Sequence, residues 1–421
     1  MLKLLKIFLC IVIILSCAGC FDKKEVDDLA YIVAIGVDKG EVDRLRLTIQ
    51  YATFKQSGGE GGSIEGESDG TMVVTIDCPS LYTGLDMFST STSRRFSMLH
   101  TKYFVVSKEM ARQGEMDRYI NALIRFSEIR RNMFMFVSRG KAGDFISETK
   151  PALGDDIIKS IELAMEQPYR TGLIPYVNLG RFNEALKSTT HQPVSALVST
   201  NDFKSLKEAR HKPQGQVSGG HHIAGEVPRT GGVKAELLGM AVFDGGKMVD
   251  ELNGDETRLY MMITGAFRRG FFTIRDPEKP DDIVVLDVRY KRKPTIRVDI
   301  SGDKPRIEVQ VRLEGNIVST QSKINYESDG LQPILERAFE RQTKRQMDSL
   351  ITKTQQTFKA DIFNFGKYVA RKFPTVQQWE KYNWLDRYPQ AVINTKVDFT
   401  IRRSGMMLET APTQQTEEIS E

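Results

Sequence analysis

The chain has 421 residues, of which 40% are hydrophobic and 27% charged, with a formal net charge of +4. These are globular values and exclude a disordered or fibrous chain. So small a charge also excludes the steering field of a nucleic-acid binder, and no nucleic-acid partner is expected.

The first element is a targeting segment. A short basic start (Lys3, Lys6) gives way to the run Ile7 to Leu15, then to Ser16-Cys17-Ala18-Gly19-Cys20, and the chain turns polar at Asp22-Lys23-Lys24-Glu25. The apolar run is too short for a bilayer span of ~20 residues, so it reads as a secretory signal with a small-residue cleavage site. A Cys directly after Ala-Gly is the acceptor pattern of a bacterial lipoprotein, cut before Cys20 and acylated on its sulfur and new amino group. Cys17 stands where such signals usually have Leu; the bland alternative is an ordinary cleaved signal with a chance Cys. Several acyl chains on one residue exceed the two-signal threshold for stable anchoring. Loss of Lys3 and Lys6 lowers the net charge from +4 to +2. Cys10 and Cys17 leave with the signal, so with Cys20 acylated Cys78 is a lone thiol and no disulfide framework exists.

The remaining ~400 residues predict two or three domains. A strand over 30–37 leads into the turn Asp38-Lys39-Gly40. Leu45, Leu47, Ile49 and Tyr51 alternate with polar residues, which predicts a half-buried strand. A Gly-rich loop through Gly70 and a strand over 71–76 complete a long hairpin. Helical patterns cover 81–95 and 108–131, with strands at 104–106 and 133–137. A helix over 155–167 is expected to stop at Pro168. From Ser199 to Lys234 Gly and Pro replace aliphatics, which reads as a loop near a domain boundary. Strands follow at 235–243 and 247–252, and a short helical pattern at 257–263. The C-terminal region reads as strands at 283–290, 295–300 and 307–313, then a long helical pattern from Leu331 to Val369, ended by Pro374, and a last strand through Val397, Phe399 and Ile401. The tail from Pro412 is polar and reads as disordered.

Strands and helices segregate, which favours α+β over doubly wound α/β. The expected organisation is a signal peptide at 1–19, an N-terminal α+β domain at 20–200, a middle domain at 201–278, a C-terminal α+β domain with a long helix at 279–410, and a tail at 411–421. The three domains are expected to be built of mixed or antiparallel sheets packed with helices.

Catalytic patterns are sparse. Gly58 to Gly62 lacks the helix-opening Lys-Ser/Thr of a phosphate loop, and Ala241 to Lys247 is a near miss to one, read as a two-strand turn. His211, His221 and His222 lie in the Gly-rich segment, without the rigid spacing a metal wants; no metal or cofactor is expected. His100 reads as a buried or half-buried, satisfied His. Asp27-Asp28 and Asp281-Asp282 read as solvated strand ends. Arg94-Arg95, Arg130-Arg131, Arg268-Arg269 and Arg402-Arg403 read as stems covering apolar edges, or as ion pairs and docking groups. Trp379, Tyr382, Trp384 and Tyr388 fit an interface, a membrane edge or a domain core.

Several stretches taken together resemble the spore germination Ger(x)C lipoproteins, the C subunits of nutrient germinant receptors. They are Cys20-Phe21-Asp22 with Glu25 to Ala30, Ile35 to Gly40, Arg94 to Lys102, Glu128 to Asn132, Glu236 to Phe243, Asp361 to Gly366 and Ile401 to Gly405. Phe21 stands where the family has Trp. The resemblance implies three α+β domains on the outer face of the spore inner membrane, in complex with two integral-membrane partners, the A and B subunits. It implies no catalytic residue and transfers one functional position, the acylation site Cys20. Two other readings stay open on the residues alone. One is a solute-binding lipoprotein of a transporter, which needs two α/β lobes around a crevice at the strand ends. The other is an envelope hydrolase acting through paired carboxylates.

Overall fold

A computed structural model describes residues 28–53, 67–68, 70–151, 157–202, 218–322, 324–326 and 330–403, besides Met1, Lys3, Lys6 and Phe8. The rest of the signal segment, Cys20, Asp27, the loop Gly58 to Gly62, His211 and the tail lie outside the described residues.

The first sheet forms around β1 (Leu29–Lys39), followed by β2 (Leu45–Ala52), β3 (Glu67–Ser68), β4 (Thr71–Cys78), α1 (Leu81–Phe88), β5 (Arg95–Ser97), β6 (Tyr103–Ser107), α2 (Lys108–Arg112), α3 (Met116–Arg125), β7 (Phe134–Ser138), α4 (Ala142–Glu148), α5 (Ile157–Ala164), α6 (Gln167–Thr171), α7 (Leu179–Leu186), β8 (Val194–Thr200), β9 (Ala235–Asp244) and β10 (Lys247–Leu252). The strand order is β10-β9-β8-β7-β6-β1-β2-β4-β3, with β5 beside the start of β1. β1, β6, β7 and β8 are mutually parallel, and antiparallel strands extend both edges. The expected hairpin of β2 and β4 is present, running from Leu45 opposite Cys78 to Ala52 opposite Thr71.

A parallel sheet needs cover on both faces, because its crossovers lay helices there. Alternation divides the cover. Phe104 and Val106 pack in one cluster with Ile120 and Leu123 of α3 and Phe182 of α7. Tyr103 and Val105 pack in another with Phe145 and Ile146 of α4 and Ile161 of α5. On β1, Gly36 and Asp38 point to the α4 face. A Cβ at Gly36 would sit 2.7 Å from the Ile146 Cδ1, so glycine lets the helix approach. Asp38 then accepts the Ala142 and Gly143 N–H groups at 2.7 and 2.9 Å, satisfying orphan donors at the start of α4.

After α8 (Gly254–Thr264), a second sheet contains β11 (Arg269–Arg275), β12 (Ile283–Asp299), β13 (Arg306–Thr320) and, after α9 (Gln332–Lys353), α10 (Gly366–Ala370), α11 (Val376–Tyr382) and α12 (Trp384–Arg387), the final β14 (Val392–Arg403), in the order β11-β12-β13-β14. Ile307, Val309, Val311 and Leu313 share the buried face, as their alternation predicts, and pack in one cluster with Leu335, Phe339, Met347 and Leu350 of α9. Glu340 and Glu336 of α9 accept the outward N–H groups of Phe399 and Ile401, at 2.8 and 2.7 Å. The edge strand β14 is therefore blunted along this stretch.

Several expectations are corrected. The helix over 81–95 ends at Phe88, where Ser89, Thr90 and Ser91 hydroxyls return to the carbonyls of Leu85, Met87 and Phe88. The helix over 108–131 splits at Gly114, whose φ of 87° breaks the helical path. Pro168 lies in the first turn of α6 rather than stopping α5, since its missing N–H is harmless there. The strands at 283–290 and 295–300 are one bulged strand that passes through Pro294. The 331–369 pattern is broken by a π-type turn at Thr354–Phe358 and by Lys359 at φ 54°. β9 and β10, which fall in the 201–278 stretch, hydrogen-bond into the first sheet through β8.

Replacing Asp38 with Ala leaves two helix-start N–H groups without their carboxylate and is expected to cost about 1–2 kcal/mol. Urea unfolding measures this; an unchanged midpoint would show that α4 does not depend on the contact.

Candidate functional site

The two sheets meet at a joint built around Asp361. This side chain is fully buried (0% exposed). Its carboxylate accepts the Phe363 N–H at 3.0 Å, the Gly366 N–H at 2.9 Å and the Trp384 indole N–H at 2.8 Å. Its backbone carbonyl accepts the Gln192 N–H at 2.8 Å, across from the first unit. Burial pushes the carboxyl up to about 6, against the pull of its backbone and indole donors. Asn364 adopts a left-handed φ of 60° and accepts the Thr190 hydroxyl at 2.9 Å. The Trp379 indole donates to the Thr189 hydroxyl at 2.8 Å. The loop between α7 and β8 is thus gripped at Thr189, Thr190 and Gln192. Gln192 in turn accepts the Gly245 N–H of the β9–β10 turn at 2.7 Å. Gly366 has no alternative here, since a Cβ would collide with the Thr190 carbonyl and the Trp384 ring.

Helix α8 is the second tie. Asn253 and Glu256 close a capping box at its start, and Lys353 at the end of α9 pairs with Glu256 at 2.9 Å. Arg258 lies over the Phe272 ring at 4.8 Å and donates to the Thr171 carbonyl at 2.7 Å. Beside α8, a cleft of about 570 Å³ opens between the units, lined by aromatic and cationic side chains.

The stretches that carried the family resemblance are mostly structural fastenings of this kind. Glu128 accepts the Met98 N–H at 2.8 Å and the Ser97 hydroxyl at 3.2 Å, which joins the 94–102 and 128–132 stretches. Glu236 accepts the Gly225 N–H at 2.9 Å and pairs with Arg229 at 3.2 Å. Gly239 has a φ of 87°, and a Cβ there would strike the Leu252 carbonyl.

The remaining candidates are dispersed. His100 is exposed rather than buried, because Met98 anchors the turn and leaves His100 outward, edge-on to Tyr31 with ring centroids 4.8 Å apart. His191 is half-buried, its Nδ1 3.0 Å from the Ser188 hydroxyl, and burial lowers its pKa. The His221 and His222 rings lie 3.8 Å apart, tilted by 42°. Asp281 and Asp282 sit in the β11–β12 turn, where the Asp282 carbonyl accepts the Asp276 N–H. Among the described residues no group of three or more His, Cys, Asp or Glu is arranged to hold a metal. Trp384 (1% exposed) and Tyr388 (0%) are core residues, not a membrane edge. Arg269 forks onto Asp287 at 2.7 and 2.8 Å, and Arg402 pairs with Glu314 at 3.0 Å, so these members of the Arg pairs serve as ion pairs. The resemblance marks Asp361 to Gly366, but the role of Asp361 as a joint is not legible there, where the pattern is one Asp ahead of an aromatic run and a Gly.

Asp361→Ala strands three donors and is expected to cost about 3 kcal/mol or more. The folded-state pKa lies above the unfolded value, so the folded chain keeps a proton that the unfolded chain has released. This contribution to stability falls as pH rises from about 4 to 6. Asp361→Asn should flatten that slope in chemical denaturation between those pH values, and an unaltered slope would assign it to other groups.

Comparison with known proteins agrees with this architecture. The family model described as spore germination protein N-terminal domain matches residues 22–200, and that described as spore germination B3/GerAC like, C-terminal, matches residues 238–405. Spore germination protein KC of Bacillus subtilis (strain 168) is 25% identical, with 92% of this chain and 92% of that protein covered. Spore germination protein B3 of the same organism is 21% identical, over 93% and 96% respectively. The crystal structure of the GerBC protein matches with a TM-score of 0.53 at 16% identity, covering 87% of this chain and 96% of that one, which shows a shared α+β fold. With both family models in sequence order along most of its length, the chain belongs to the Ger(x)C family of spore germination proteins.

Proposed function

We propose that this chain is the C subunit of a spore nutrient germinant receptor. It acts without catalysis, tethered by acyl chains on Cys20 to the outer face of the spore inner membrane, in complex with integral-membrane A and B subunits. The observation that carries this reading is the match of both spore germination family models along one chain, beside relatives named as spore germination proteins.

The tether reading rests on the Ala18-Gly19-Cys20 pattern and on the short link from Cys20 to the first strand. Only residues 21–27 separate Cys20 from Asp28, and β1 starts at Leu29. A fully extended link of that length reaches roughly 25–30 Å. β1 lies inside the first sheet, between β2 and β6. An anchored Cys20 would therefore hold the body of the protein close to the bilayer and raise its effective concentration toward membrane partners. Among the described residues no helix is long and apolar enough to cross a membrane.

The non-catalytic reading draws support from how the buried carboxylates are used. Asp38, Glu236, Asp276 and Asp361 each accept backbone N–H groups and so hold loops and helix starts in place. The transporter reading would need a hinge between two lobes, whereas here the joint is fastened by Asp361, Asn364 and Trp379 together.

Replacing Cys20 with Ala in spores tests the proposal. The variant is expected to lose palmitate labelling, leave the membrane fraction and lower germination to one nutrient. A variant that stays membrane-bound, with normal germination, would overturn the tether.

A further inference from the structure

The cleft beside α8 has a chemistry that the joint does not use. It lies where α6, the 175–177 segment and α7 face the end of α8 and strand β12. Its volume of about 570 Å³ falls within the range of small-molecule sites. Among the described residues three cationic side chains line it, Arg181, Arg268 and Lys293, and no acidic one does. Like-charged groups gathered without a counter-charge repel one another, so the arrangement favours an anion between them.

Two of the cations are positioned by tyrosines. The Arg268 guanidinium lies 4.2 Å from the centre of the Tyr169 ring, and that of Arg181 lies 5.3 Å from the centre of Tyr176. Tyr169 and Tyr176 stack on each other at 5.9 Å and 27°. A guanidinium placed over a ring face can still offer N–H groups to a carboxylate or phosphate. Arg181 donates one N–H to the Tyr176 carbonyl at 3.2 Å. Among the described residues none of the three cations has an ion-pair partner. Tyr260 adds a ring wall, and burial pushes its hydroxyl up to about 12, so it stays protonated as a donor. The Tyr290 hydroxyl is already committed to the carbonyls of Met261 and Met262, at 3.1 and 2.5 Å.

We infer that this cleft binds a small organic anion, its carboxylate or phosphate head held by Arg181, Arg268 and Lys293 and its flat or apolar body against the tyrosines. The assignment rests on the cleft alone and stands or falls separately from the receptor reading. The acidic head could be that of a soluble metabolite or of an anionic lipid.

The test is calorimetric titration of the full chain in neutral detergent with phenyl phosphate and with benzoate, beside benzyl alcohol and benzylamine. The anions should bind saturably and the neutral and cationic probes should not. Arg268→Gln and Lys293→Gln, both exposed side chains, should each weaken anion binding about tenfold, the scale of one charge-assisted hydrogen bond, with the melting temperature of the free chain unchanged. Tyr260→Phe should weaken it less. Competition by dihexanoyl phosphatidylglycerol that depends on Arg268 would identify a lipid head as occupant, and its absence a soluble one. No anion binding, or binding that both charge variants leave intact, would overturn the assignment.

Discussion

A buried carboxylate that serves three donors at once is the constraint on which the relation between the two sheets depends. Asp361 collects the N–H groups of Phe363 and Gly366 and the indole of Trp384, while its carbonyl takes the Gln192 N–H from the other unit. Buried donors left without partners are costly, so a saturated acceptor at a crossing point specifies one arrangement of the chain segments around it. The hydrophobic core then runs on without a break, from Phe182 and Phe243 through Met262 of α8 to Val309 and Phe339 in the second unit. Apolar contact supplies most of the stability of such a core but is non-directional. The orientation comes from the polar fastenings.

The same device recurs within the first unit. Asp38 holds the start of α4, Glu128 ties two distant stretches together, and Glu236 gathers a loop around Gly225. Each of these acids lies in or beside a stretch that resembles the family. They shape the scaffold by holding loops and helix starts in place. The cationic, tyrosine-lined cleft differs from these fastenings because, among the described residues, no carboxylate lines it beside its charges.

Where a pattern was periodic, it was legible. Alternation in Ile307 to Leu313 placed a strand and its buried face correctly; in Leu45 to Tyr51 it placed the strand, but the face expected wet is packed as well, with Thr48 and Gln50 buried. β8 and the helix α7 before it were missed. A strand buried on both faces shows no alternation, and α7 is only two turns long, started by the Asn178 side chain. Helices drawn too long failed for local reasons, at Ser89 to Ser91 and at Gly114, where side-chain hydroxyls or a left-handed glycine end a helix that apolar spacing alone would continue. His100 was expected inside and is outside, since an anchoring contact two residues earlier sets which way the turn points.

The residue order by itself determined the α+β class, the buried face of β13 and the kinship with a spore germination family. All of these are written in composition, in short-range period or in motifs read along one line. The tertiary structure decided that β9 and β10 complete the first sheet, that Asp361 locks the second sheet to it, and that Arg181, Arg268 and Lys293 converge on one cleft. Arg181 and Lys293 are more than a hundred positions apart. Nothing in local propensity brings them together; burial of the intervening core and the directionality of a few hydrogen bonds do.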